Sequence, residues 1–141
     1  MDTTIHINKL VWFYILLLGL YLISSFSLEA YLPVVLQDYM QYELEIETSF
    51  LEDTAIILLL VVVFAHLSSL FGLLRYKLWS KNLFIYTTVI LHLATPFYGP
   101  YIEHGVSAFI EGVSLVVSGA IIALLIFTQS EFNNAVKEDA Q

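Results

Sequence analysis

The sequence predicts an all-α protein, a four-helix transmembrane bundle with both termini in the cytoplasm. Three observations carry this expectation. Hydrophobic residues make up 59% of the 141 residues, against about 45–50% in soluble domains. They gather into long runs, and a helix that crosses the hydrocarbon core needs about 20 mostly apolar residues. The basic residues are also segregated to one side of those runs. The length suits a single integral membrane domain over residues 1–141.

The first run, Leu10–Ser27, lies between Lys9 and Glu29. Ser25-Phe26-Ser27 fits a small-x-small cleavage site, but the apolar run is long for a signal peptide and only Lys9 precedes it. We therefore expect it to remain as a span. Residues 28–53 form an external loop. Its first part, LEAYLPVVLQDYMQY, places Leu32, Leu36, Tyr39 and Met40 at helical spacing, with Pro33 suited to a first turn. This predicts a short amphipathic helix on the outer membrane surface. The next part, YELEIETSF, alternates Tyr42, Leu44, Ile46 and Thr48 with Glu43, Glu45 and Glu47. A period of two predicts an extended segment. Ser49-Phe50-Leu51-Glu52 reads as a capping box.

The second run, Thr54–Leu74, and the fourth, Val106–Thr128, are the clearest spans. The third, Leu83–Tyr101, carries Pro96, Gly99 and Pro100, so its outer turn should break or kink. Runs of this length are helical, because barrel strands alternate over about ten residues. Lipid leaves only helices and closed barrels as solutions for the backbone.

Orientation follows from charge. Lys9, Arg75, Lys77, Lys81 and Lys137 all fall on one side of the predicted spans. Glu29, Asp38, Glu43, Glu45, Glu47, Glu52, Asp53 and Glu103 fall on the other. The positive-inside rule places the basic side in the cytoplasm of a cell inner membrane. Trp12 and Trp79 flank that side, and Tyr31, Tyr39, Tyr42, Phe97, Tyr98 and Tyr101 crowd the opposite one, as aromatic belts do.

Composition also excludes chemistry. There is no cysteine, hence no disulfide, thiolate metal site or thiol redox chemistry. Lys and Arg number five, too few for a phosphate-binding stripe, so no nucleic-acid partner is expected. Phosphate-binding glycine loops, zincin helices and nucleophile elbows are absent. Glu43, Glu45 and Glu47 form a candidate external acidic strip. It reads either as a weak cation or docking site or as charge that keeps the loop solvated. A calcium loop would want a glycine turn, and residues 28–53 contain no glycine.

Polar residues recur inside the runs at helical spacing. His66 pairs with Ser69, and Thr88 with His92 and Thr95. Ser107, Glu111, Ser114 and Ser118 share a face, as do Tyr14, Tyr21 and Ser25. Ionisable groups within a span are costly and usually face the interior. The stripes are therefore expected to point inward and hydrogen-bond one another. Counting from the turn near Leu78 puts His66 and His92 at similar depth, and counting from Tyr101 adds Glu111. Such a cluster could be a structural network or a proton relay. It could also be a divalent metal site or a pair of axial ligands, His66 and His92, to a b-type haem. Bulky Val62, Val63 and Ile90 beside the histidines argue against a porphyrin. The structural network is the expectation, with no cofactor and no metal. On the last run, Ala108, Gly112, Gly119 and Ala123 form a neighbouring face suited to close helix contact.

The turn FGLLRYKLWSKNLFIY, Phe71 to Tyr86, and the closing run EGVSLVVSGAIIALLIFTQSEF resemble those of small, uncharacterised four-span bacterial inner-membrane proteins. The resemblance spans roughly residues 54–132 and implies the topology only. The expected function is that of a non-enzymatic multi-pass protein embedded in the lipid bilayer. It would be an accessory subunit of a membrane complex or an immunity-type protector, working with another membrane protein or as a homo-oligomer. The alternatives are a small proton-coupled transporter or channel subunit using His92 and Glu111, and a haem redox subunit using His66 and His92.

Overall fold

The computed structural model describes residues 3–45, 50–94 and 102–127. All the regular structure among them is helical. Five α-helices follow in order: α1 Thr3–Leu28, α2 Val34–Glu45, α3 Phe50–Leu74, α4 Leu78–Ala94 and α5 Gly105–Phe127. A single 3₁₀ turn, Glu29–Tyr31, joins α1 to α2. Three stretches are long and apolar enough to cross a membrane: His6–Leu28, Thr54–Leu74 and Gly105–Phe127. They coincide with the first, second and fourth predicted spans. The third predicted span, Leu83–Tyr101, overlaps α4, whose 17 residues rise about 25 Å; α4 is not among the three stretches long and apolar enough to cross, and residues 95–101 lie outside the described residues. Pro96, Gly99 and Pro100, where a kink was expected, lie outside the described residues, as do Thr95 and Lys137.

α1 ends where Pro33 interrupts the chain. The Pro33 carbonyl accepts from the Leu36 and Gln37 amides at 2.8 and 3.2 Å. The Gln37 side chain folds back and donates to the carbonyls of Ala30 at 3.2 Å and Leu32 at 2.7 Å. Pro33 thus stands just before the first turn of α2, as its cap, not within it. The extended segment expected from Tyr42 onward is not formed over residues 42–45, which continue α2. Glu and Leu are strong helix formers, and a turn already nucleated extends at little cost. Glu47 and Ser49 lie outside the described residues; α3 begins at Phe50.

The turn from α3 to α4 is tight. Lys77 N–H donates to Gly72 O at 2.9 Å and Tyr76 N–H to Leu73 O at 3.1 Å. That is the paired pattern of a Schellman cap. Tyr76 occupies its left-handed position with φ 49°, a place usually held by glycine. The close approach that follows needs Gly72. A Cβ there would sit 2.5 Å from Ser80 Cβ and 2.9 Å from the Trp79 ring.

α3 packs closely on α4 and α1 on α5, while α1–α3 and α4–α5 contacts are sparser. The core draws on all four: Ile7, Val11, Tyr14 and Leu17 from α1, Leu70 and Leu73 from α3, Phe84 from α4, and Val117, Ile121 and Leu125 from α5. α2 stays outside this core. Leu32, just before α2, and Met40 on it line a cavity together with Ser25 and Phe26 of α1, while Val34 and Val35 are exposed.

Candidate functional site

His66 sits on α3, 4% exposed, at the meeting of α1, α3 and α4. Tyr14 Oη lies 3.2 Å from its Nε2 and Thr87 Oγ1 3.0 Å from its Nδ1. The Thr87 hydroxyl also lies 2.8 Å from Leu83 O. A carbonyl can only accept, so the Thr87 proton goes to Leu83. Thr87 Oγ1 then accepts from His66 Nδ1–H, and the Nε2 lone pair accepts from Tyr14 O–H. Both ring nitrogens are thereby engaged, one with α4 and one with α1. The ring is further held by Phe84, nearly parallel at 5.1 Å between centroids. Tyr14 meets both rings edge-on, at 5.8 Å from His66 and 6.1 Å from Phe84.

His66, Tyr14 and Ser69 are thus buried where the helical stripes put them, but no hydrogen bond joins His66 to His92 or Glu111 among the described residues. The register of the hairpin decides which partner His66 takes instead. Gly72 faces Ser80 and His66 faces Thr87, so the hairpin turns about Tyr76 and not Leu78. His92 is then five residues beyond the residue level with His66, about 7.5 Å higher and 140° further round α4. His92 is exposed, its Nδ1–H donating to Thr88 O at 2.7 Å. Glu111 is also exposed and has no partner among the described residues.

Nor do the serine stripes bond one another. They point inward, with Ser69, Ser107, Ser114 and Ser118 all buried. Yet Ser69 donates to His66 O, Ser114 to Ile110 O at 2.9 Å and Ser118 to Leu115 O at 2.9 Å. Each satisfies itself on the preceding turn of its own helix, a route always open to a short hydroxyl. Thr88 Oγ1 and Ser107 Oγ are buried without a partner. The face Ala108, Gly112, Gly119 is exposed, and added Cβ atoms at the two glycines would meet nothing within 4 Å.

Thr87 and Phe84 were not singled out from the sequence. Their signal was present: Ser80, Phe84 and Thr87 recur at helical spacing on α4, one position off the Thr88–His92 stripe.

Ligation at His66 would break two hydrogen bonds, since both ring nitrogens are engaged. Its partners are a tyrosine and a threonine. Among the described residues no group of three His, Asp or Glu side chains is placed to hold a metal ion.

At the opposite end a cavity of about 140 Å³ lies between α1, α2 and the approach to α5, lined by Ser25, Phe26, Leu32, Met40, Glu103 and His104. His104 starts α5: its carbonyl accepts from Ala108 N–H at 3.1 Å, and its Nδ1 accepts from Val106 N–H at 3.3 Å. At the α3–α4 turn a shallow groove runs past Gly72, Arg75, Lys77 and Trp79.

No family model matches this chain, and no curated protein or solved structure is similar to it.

Proposed function

We propose that the protein is a non-enzymatic, four-span inner-membrane protein that acts through contacts of its helices with other membrane proteins. An accessory subunit or an immunity-type protector would work in this way. In this reading α4 serves as the fourth span. Both termini and the Arg75–Lys77 turn face the cytoplasm, and α2 lies on the outer surface with Val34 and Val35 toward lipid. The charge segregation and the layout resemblance support this topology.

The observation that carries the reading is the division of polar groups. The interhelical network around His66 engages both ring nitrogens and links α1, α3 and α4, as a register-fixing device does. The ionisable groups left over, His92 and Glu111, are exposed on the helix surfaces, where another protein can reach them. A lipid-facing carboxylate is costly, and a protein contact offsets that cost.

A second reading, a proton-coupled carrier, is favoured by those same two residues, because both side chains are ionisable and both lie outside the His66 network. Two measurements decide. Protein purified in mild detergent should show no Soret band and no stoichiometric metal, and proteoliposomes should show the same proton leak for wild type and Glu111→Gln. Flux lost in Glu111→Gln would replace the reading by the carrier, and a Soret band lost in His66→Ala would replace it by the redox subunit.

A further inference from the structure

The open seam between α4 and α5 has the features of an interface. Going round α4 from Thr87, which faces α3, through Phe84 in the core, the next positions are Thr88 and His92. They occupy the flank turned away from α3, toward α5. α5 runs antiparallel to α4, so the same sense of rotation brings its corresponding flank round to the seam. That flank runs from buried Ser118 to Glu111, then to Ala108, Gly119 and Gly112.

The heights agree as well. Ser25 and Phe26 share a cavity with Ile102–His104, which sets α1 against α5 and puts Glu111 level with Leu17. Tyr14 is level with His66 and His66 with Thr87, so Leu17 is level with Ile90. Glu111 and His92 thus differ by about two residues, roughly 3 Å.

Three things in this seam are unused by the chain's own fold. Thr88 Oγ1 is buried without a partner. Glu111 is an exposed carboxyl group within a span. Gly112 and Gly119 leave space that nothing fills. The close glycine contact inside the chain is made elsewhere, at Gly72.

We propose that this seam is the interface between two copies of the chain, related by a twofold axis along the helices. Glu111 of each copy shares a proton with Nε2 of His92 of the partner subunit, and the Gly112–Gly119 flank admits the facing α5. The inference rests on the reading above, and names a second copy as a partner.

Charge complementarity selects that occupant. The described Lys and Arg side chains stand near helix ends and in the α3–α4 turn, so the base that the chain offers at the depth of Glu111 is His92. Nδ1–H of His92 is engaged with Thr88 O, which leaves Nε2 as the ring nitrogen available to a second copy. A twofold axis along the bundle preserves height, so an acid and a base within one turn of each other meet twice. Glycines seven apart let helix backbones approach closely, as small residues do in membrane helix pairs.

The test uses single cysteines, since the chain has none. Gly112→Cys and Gly119→Cys place a side chain in open space and leave the fold intact. Phe64→Cys, on an exposed face of α3, is the control. Oxidation in native membranes should give a disulfide-linked dimer from either glycine variant and none from the control. Energy transfer between labelled copies in liposomes should show self-association roughly 30- to 900-fold weaker in Glu111→Ala, as expected when both symmetry-related interhelical hydrogen bonds, about 1–2 kcal/mol each, are lost. Gly119→Leu should weaken it at unchanged thermal stability, and the exchange His92→Glu with Glu111→His should restore what either single change removes.

A glycine variant that cross-links only to a different protein would overturn the second copy as occupant while leaving the partner-binding reading in place. No cross-link at all, or an exchange variant that stays monomeric, would overturn the interface. Spectrum and flux, which decide the function, do not depend on these results.

Discussion

Replacing Gly72 by alanine should separate α3 from α4. The added Cβ would lie 2.5 Å from Ser80 Cβ and 2.9 and 3.0 Å from two carbons of the Trp79 ring. Ordinary carbon contacts begin near 3.5 Å, so the helices must part by about 1 Å at this level. Ser80 cannot yield alone, because its amide and hydroxyl both bond Lys77 O and cap α4. Trp79 is half exposed and can turn, which relieves only part of the clash. Overpacking of this kind costs about 1–3 kcal/mol.

Alanine also gains up to about 1 kcal/mol over glycine from helix propensity. Gly19 on α1, where an added Cβ meets nothing within 4 Å, supplies the control, because that gain cancels between the two sites. Gly72→Ala should therefore be less stable than Gly19→Ala by the overpacking cost, roughly a 5- to 150-fold difference in the folded-to-unfolded ratio. Reversible SDS titration of purified protein, followed by circular dichroism, measures it. Equal stability of the two variants would refute the close packing of α3 on α4 and with it the register that pairs His66 with Thr87.

Other outcomes follow from the same geometry. Tyr14→Phe strands Nε2 of His66 and should lower stability by about 0.6–2 kcal/mol, the range for interhelical hydrogen bonds in membranes. Tyr14→Phe and Thr87→Val act on one ring, so their effects should be non-additive in a double-mutant cycle; strict additivity would mean that the network does not form. Single cysteines at Arg75 and Asp38 should react with an impermeant thiol reagent from opposite sides of the membrane, Asp38 from outside. Labelling of both from one side would refute the topology.

Much of the helical layout was legible in the chain. The runs at residues 10–27, 54–74 and 106–128 became helices with nearly those bounds, because in lipid a backbone of that length has few other ways to satisfy itself. The acidic stretch after Tyr42 was not legible. Its period of two points to a strand, but α2 had already begun and Glu and Leu prolong a helix readily. The serines were read correctly as inward-facing and incorrectly as partners of one another. Periodicity reports which face a hydroxyl lies on; it does not report whether that hydroxyl bonds across the bundle or back to its own turn.

His66 shows where the division falls. The sequence alone established that an ionisable ring sits within an apolar run, and that burial obliges it to find partners. Which partners it finds depended on a tight turn. The Schellman cap at Tyr76 and the close approach at Gly72 set α3 against α4, and that register brought Thr87 level with His66 and left His92 five residues further along α4. The sequence also placed Glu111 in a span, but its own helix has two long flanks. Only the tertiary structure, in which α1 takes one flank of α5 and α4 barely touches the other, left that carboxylate on the surface, because packing assigns faces to neighbours and composition cannot.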